Sequence, residues 1–145
     1  MFDKILQIVE LEKVLLKDLI NLMKEQQTAL VKLQISKLAE LIHNQEELSK
    51  KIRSLELSRI NLIASLLRIS KMEASSITMT ELAKFVNQAE SHQLLKVRDE
   101  MKTLNSSFSN LSITNRLLAN RAKNSFANIL SILTNGSNQI YNVSV

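Results

Sequence analysis

Few residues of this chain have types and spacing suited to chemistry. Glu40-Leu-Ile-His43 has the Glu-x-x-His spacing of di-iron bundles, in which two such motifs and two further glutamates point inward. Here the motif occurs once, and the neighbouring inward positions are Leu38, Leu41 and Gln45, which turns Glu40 and His43 away from the interior. His92 is the other of the two histidines, and Glu90 near it does not complete a ligand set. Serines are plentiful, yet neither histidine has the spacing to activate one as a nucleophile. The absence of cysteine removes thiol nucleophiles, disulfides and Cys-ligated zinc together. The expectation is a protein with no catalytic residue, no metal and no cofactor.

The elements that hold these residues follow from composition. A chain of 145 residues, 45% of them hydrophobic, is one domain with enough material for a core. It has no proline and one glycine, Gly136. Phosphate-cradling loops and dinucleotide turns need several glycines, and sandwiches and barrels need a turn residue at every hairpin. Helix remains, so an all-α fold is expected. The net charge of +5 is modest, and Lys50, Lys51, Arg53, Arg59 and Arg68 are too sparse for a nucleic-acid stripe. The first residues are interrupted by charge every few positions, unlike a signal peptide, and no apolar run approaches the roughly 18–20 residues of a membrane span. A cytoplasmic protein without membrane insertion is expected.

Hydrophobic spacing organises the first half. Ile5, Val9, Glu12, Leu16, Leu19, Met23, Gln26, Leu30 and Leu33 alternate steps of four and three, and Leu38, Leu41, Gln45, Leu48, Ile52, Leu55, Arg59, Leu62 and Leu66 repeat the pattern in mirror order. Such spacing keeps one stripe against one partner helix. In an antiparallel hairpin, level residues have numbers with a constant sum, here 71. The two polar breaks then fall opposite each other, Gln26 with Gln45 and Glu12 with Arg59. Paired amides satisfy each other, and a carboxylate opposite a guanidinium avoids a lone buried charge. The turn is placed at Gln34-Ile35-Ser36, with Ser36 as N-cap. No glycine marks it, so a continuous helix in a dimer satisfies the same spacing. Ile8, Leu11, Leu15 and Leu22 line another face of the first helix and Ile60, Ile63 and Leu67 one on the second, level at the same sum, and a third helix is expected to cover them.

The predicted elements are a helix over about 3–33, a second over about 37–70, a linker at 71–77, a short helix over about 79–88 and a long amphipathic one over about 91–134. The short helix opens on Thr78-Met-Thr-Glu81, which has capping-box spacing, and carries Leu82, Phe85 and Val86. The long one carries the stripe Val97, Met101, Leu104, Phe108, Leu111, Leu118, Ala122, Ile129 and Leu133. Asn135-Gly136 is the expected stop, closing a single domain at 136, with 137–145 a flexible tail. The architecture expected is a long coiled-coil-like hairpin, with the short helix and the long amphipathic C-terminal helix packed on the half away from its turn.

That last helix differs in kind. From Leu104 onward there are nine asparagines, eight serines and no acid. Both types are poor helix formers, and no Glu–Lys pairs assist, so this helix depends on packing or on a partner. Ile113 and Leu117 lie on the face opposite the main stripe, either as ordinary exposed aliphatics or as a partner-facing ridge.

The order of features resembles the FlgN family of flagellar type III export chaperones over essentially the whole chain. The features are Glu12 in the first helix, the leucine-rich hairpin, Leu55-Glu-Leu-Ser-Arg59 and the capped Thr78-Met-Thr-Glu-Leu82. The Asn115-Arg-Leu-Leu118 to Ile129-Leu130 helix and a terminal Tyr141 complete it. The resemblance implies a cytoplasmic chaperone that binds helical C-terminal segments of hook–filament junction proteins of the FlgK and FlgL type and brings them to the export gate protein FlhA. It assigns client binding to the C-terminal helix, here Val97, Met101, Leu104, Phe108, Leu111, Ile113, Leu117, Leu118, Phe126 and Ile129. An aromatic gate contact is also implied, with Phe108, Phe126 and Tyr141 the candidates. A monomer or weak dimer is expected. The alternative is a structural coiled-coil protein that dimerises through the same stripes.

Overall fold

The computed structural model of the protein describes residues 1–144, with side chains described for residues 1–134. Five helices follow in order: α1 Phe2–Val31, α2 Ile35–Leu67, α3 Lys71–Ser75, α4 Met79–Leu82 and α5 Gln88–Ser144, with a single 3-10 turn at Ala83–Phe85 between the last two. The fold is all-α. α1 and α2 pack as an antiparallel hairpin, and α5 packs along α1. Lys13 meets Glu100 and Met23 meets Asn115, offsets of 87 and 92 residues, so α5 runs parallel to α1.

The hairpin turns over three residues without a glycine. Leu33 adopts the left-handed conformation at φ 54°, while the Leu33 N–H reaches the Leu30 carbonyl at 3.3 Å and the Gln34 N–H reaches that of Ala29 at 2.9 Å. This is a Schellman ending with leucine where glycine is usual. It consumes Lys32 to Gln34, so α2 starts at Ile35 behind Gln34, which makes no side-chain cap. Ser36 therefore lies inside the first turn rather than capping it, and Leu33 lies outside the helical stripe. α2 ends the same way, with Arg68 left-handed at φ 55°.

The connector holds more structure than a linker. Ser70 and Glu73 form a reciprocal capping box that starts α3, and Thr78 with Glu81 forms the one that starts α4. Asn87 and Glu90 exchange the same pair of bonds at the start of α5, at 2.8 and 3.2 Å. Each box satisfies donors that a helix N-terminus otherwise leaves free. The short helix predicted over 79–88 is only α4 plus the 3-10 turn. Leu82 and Ala83 take the inward positions, and Phe85 faces solvent. The core they complete contains Phe2, Ile5, Val9, Ile63, Ala74, Leu94 and Val97, and a second cluster of Leu16, Leu19, Ile20 and Met23 continues it toward the turn.

The two secondary stripes do not share a face. Ile60, Ile63 and Leu67 pack into the core beside α3, α4 and α5. Ile8 and Leu11 instead line an open groove with Lys4, Gln7 and Leu62. The reason is handedness. Ile8 and Leu11 precede seam positions by one residue, whereas Ile60 and Ile63 follow them by one. In an antiparallel pair, only positions on the same side of the seam in sequence fall on the same face.

α5 begins three residues earlier than the predicted 91 and continues through Gly136 to Ser144. An interior glycine costs a helix roughly 1 kcal/mol, which alone does not end it. The tail predicted over 137–145 falls within α5 as far as Ser144. Val145 lies outside the described residues, and the side chain of Tyr141 lies outside the described side chains. The left-handed ends of α1 and α2 give a direct test. Arg68 is exposed, so Arg68→Gly removes the strain of a Cβ at positive φ and loses little contact. The expected gain is about 0.5–1 kcal/mol, or about 2–4 °C in melting temperature, read by thermal circular dichroism. An unchanged or lower melting temperature contradicts it.

Candidate functional site

The apolar row of α5 meets two environments. Val97 is 3% exposed within the core, and Met101, Leu104, Phe108 and Leu111 pack against Leu16, Leu19, Ile20 and Met23. These five expected client contacts face α1 and α2, because burying them on the hairpin already recovers their hydrophobic free energy. Leu118 is half-buried at the end of this contact. Ile113 and Leu117 face outward and are more than half exposed. Phe126 and Ile129 are exposed for a different reason, namely that α1 has ended.

Chain lengths set that limit. With the offset of 92 residues at Met23, the end of α1 at Val31 comes level with about residue 123 of α5. The remaining helix, about 20 residues and about 30 Å at 1.5 Å per residue, has no α1 beside it. The row nevertheless continues there through Phe126, Ile129 (53% exposed), Leu130 and Leu133 (62%). Leu130, Ile132 and Leu133 are not among the expected contacts; all three are large, apolar and exposed. The signal for them was present in the run Ile129-Leu130-Ser131-Ile132-Leu133.

Four polar nodes fix how the helices meet. Arg59 Nε donates to Glu12 Oε1 at 3.0 Å, with Glu12 only 4% exposed. Gln45 Nε2 donates to Gln26 Oε1 at 3.0 Å, so both level pairs of the seam hydrogen-bond. Asn115, a polar break in the α5 row, joins the second node. Its Nδ2 donates to the Met23 carbonyl at 2.9 Å and to Gln26 Oε1 at 3.1 Å. Lys13 bridges Glu10 on its own helix and Glu100 on α5. These bonds raise the Lys13 ammonium above its ordinary value and hold the Glu100 carboxyl below the usual range. The bridge is therefore intact across neutral pH and weakens as acid protonates Glu100. On α4, Thr80 Oγ1 accepts from Arg98 Nη1 at 2.9 Å.

Glu40 and His43 are exposed, and no group of three or more possible metal ligands converges among the described residues. No helix among them is long and apolar enough to cross a membrane.

Burial pushes the Glu12 carboxyl above the usual carboxylate range, although the Arg59 guanidinium pulls it down. A raised folded-state value means that Glu12 contributes most to stability when protonated, and that this contribution falls as pH rises through that value. Arg59→Met removes the opposing pull and leaves a buried lone carboxylate, at an expected cost of about 3 kcal/mol near neutral pH. The deficit should shrink in acid as Glu12 takes up a proton. Denaturant melts of both proteins near neutral pH and in mild acid check this, and a deficit that grows in acid contradicts it.

Comparison with known proteins gives one positive finding. The family model described as FlgN protein matches residues 1–144. No curated protein and no solved structure matches the chain. A match over the whole hairpin, connector and α5 places the chain in the FlgN family of flagellar export chaperones.

Proposed function

We propose that this protein is a cytoplasmic chaperone for the helical C-terminal segments of hook–filament junction proteins of the FlgK and FlgL type, which it delivers to the export gate protein FlhA. The observation that carries this reading is the continuation of the α5 apolar row beyond the end of α1. Up to Leu118 the row has a helix against it; at Phe126, Ile129, Leu130 and Leu133 it has none. An amphipathic client helix laid on these residues takes the place that α1 occupies further back. Each fully buried Leu, Ile or Phe side chain contributes roughly 1.5–3 kcal/mol, so four such positions support specific capture. Covering the apolar face of the client keeps it from assembling before export. No covalent step is involved.

The structure separates two kinds of substitution. Ile129→Asp with Leu133→Asp touches no core residue, so the melting temperature should hold while co-purification of a FlgL-type C-terminal segment is lost. Phe108→Asp with Leu111→Asp strikes the packing on Leu16 to Met23, so it should lower the melting temperature by several degrees as well. If the Ile129→Asp/Leu133→Asp protein stays folded and still captures the segment at wild-type yield, the proposed surface is wrong.

A further inference from the structure

The three long helices form an L with α1 at the corner. α2 packs on one side of it and α5 on another, and α2 and α5 lack close backbone approach, meeting through the Ile63, Leu94 and Val97 cluster at the end away from the turn. A four-helix bundle has a further position diagonal to α1. Here it is filled at one end only, where α3 packs on α2, and α4 with the 3-10 turn packs on α5. Toward the hairpin turn it is open. A cavity of about 300 Å³ lies there, floored by Leu19 and Met23 and walled by Phe108 and Ala119 of α5 and Gln45 and Ser49 of α2. A second cavity shares Gln45 and Ser49 and extends along α2 to Ile42 and Arg53.

Two observations describe what fits. Asn115 lines the first cavity, is 5% exposed, and uses its amide hydrogens on Met23 and Gln26. Its Oδ1 is buried with no hydrogen-bond partner among the described residues. A buried carbonyl oxygen without a donor carries its full desolvation cost, so a donor brought there is favoured. The rim is basic: Arg116 on one side and Lys50 and Arg53 on the other, against Glu46. Neither Arg53 nor Arg116 forms an ion pair among the described residues.

We propose that this open corner between α2 and α5 is a second docking seat for the client. It takes an amphipathic helix with acidic flanks whose apolar edge carries one amide or hydroxyl donor opposite Asn115. The helix completes the four-helix square at the end that α3 and α4 leave empty, and its carboxylates meet Arg53 and Arg116. This rests on the client reading above and adds a place and a chemistry to it. Two seats on one client also raise its avidity, because the second contact forms intramolecularly.

The test is isothermal titration of the full chain with a purified C-terminal segment of a FlgL-type junction protein, at low and high salt. Ser49→Trp with Ala119→Trp fills the corner from exposed positions, away from the α1–α5 seam. The expected result is at least about tenfold weaker binding, with the melting temperature preserved. Arg53→Glu with Arg116→Glu should also weaken binding and flatten its salt dependence. Wild-type affinity in both variants, with capture still abolished by Ile129→Asp/Leu133→Asp, overturns the corner and leaves the client reading standing. No binding by the wild-type chain overturns both. A wild-type dimer in light scattering that Ser49→Trp/Ala119→Trp dissociates makes the occupant a second copy, which also overturns the proposal.

Discussion

Both other long helices of this bundle depend on one surface, that of α1. Its 30 residues carry the seam against α2 and, one step round, the row against α5, which is why Ile5, Val9, Leu16, Leu19, Ile20 and Met23 are all buried. α2 can match α1 in length because it folds back from its end. α5 cannot, since it runs parallel to α1 and is far longer. Uncovered apolar surface on α5 is therefore a geometric consequence of unequal lengths. A shorter α5 would leave no such surface, and a longer hairpin would bury it.

The polar nodes add placement to that burial. Heptad-like rows of leucine tolerate slippage by a turn, because one leucine replaces another at little cost. Gln26 with Gln45, and Glu12 with Arg59, are each satisfied in one alignment of α1 on α2. Asn115 extends the same control to α5 through the Met23 carbonyl. Burial raises the Glu12 carboxyl more than Arg59 lowers it, and the desolvation cost of a buried pair can exceed its attraction. Alignment is the contribution that its geometry supports.

The hairpin was legible in the sequence because period and polarity carry it. The mirrored rows and the level breaks at Gln26/Gln45 and Glu12/Arg59 depend only on helical geometry. The turn was less legible because Leu33 and Arg68 stand where glycine would have marked a left-handed residue. The capping boxes at Ser70/Glu73 and Asn87/Glu90 had the same spacing as the one recognised at Thr78/Glu81. In the first, however, the serine preceded no apolar run long enough to draw attention to a five-residue helix. Ile8 and Ile63 are level, yet one lines an open groove and the other is buried, because level position along an axis says nothing about rotation around it. Within α5, spacing alone ran one stripe from Val97 to Leu133. Where that stripe changes from core to surface depends on the end of α1, a tertiary fact.

The composition of α5 follows from this division. Up to Asn115 its asparagines and serines are offset by packing on α1, which supplies the free energy that their poor helix propensity withholds. Beyond that point Asn120, Asn124, Ser125, Asn128 and Ser131 alternate with Phe126, Ile129, Leu130 and Leu133, and no acid is available for i,i+4 pairing with Arg121 or Lys123. A helix of that composition, without a neighbour, has little intrinsic stability. On the proposed function, a client helix does for this stretch what α1 does for the first half, burying the apolar row and stabilising the helical backbone together. Binding and helix stability are thereby coupled. Affinity is lowered by any ordering that the stretch requires, and release is correspondingly easier. For the proposed role, in which the client is taken up and then handed on, a hydrophobic row on a weak helix meets both needs. The same row on an alanine- and glutamate-rich helix would bind more tightly and release more slowly.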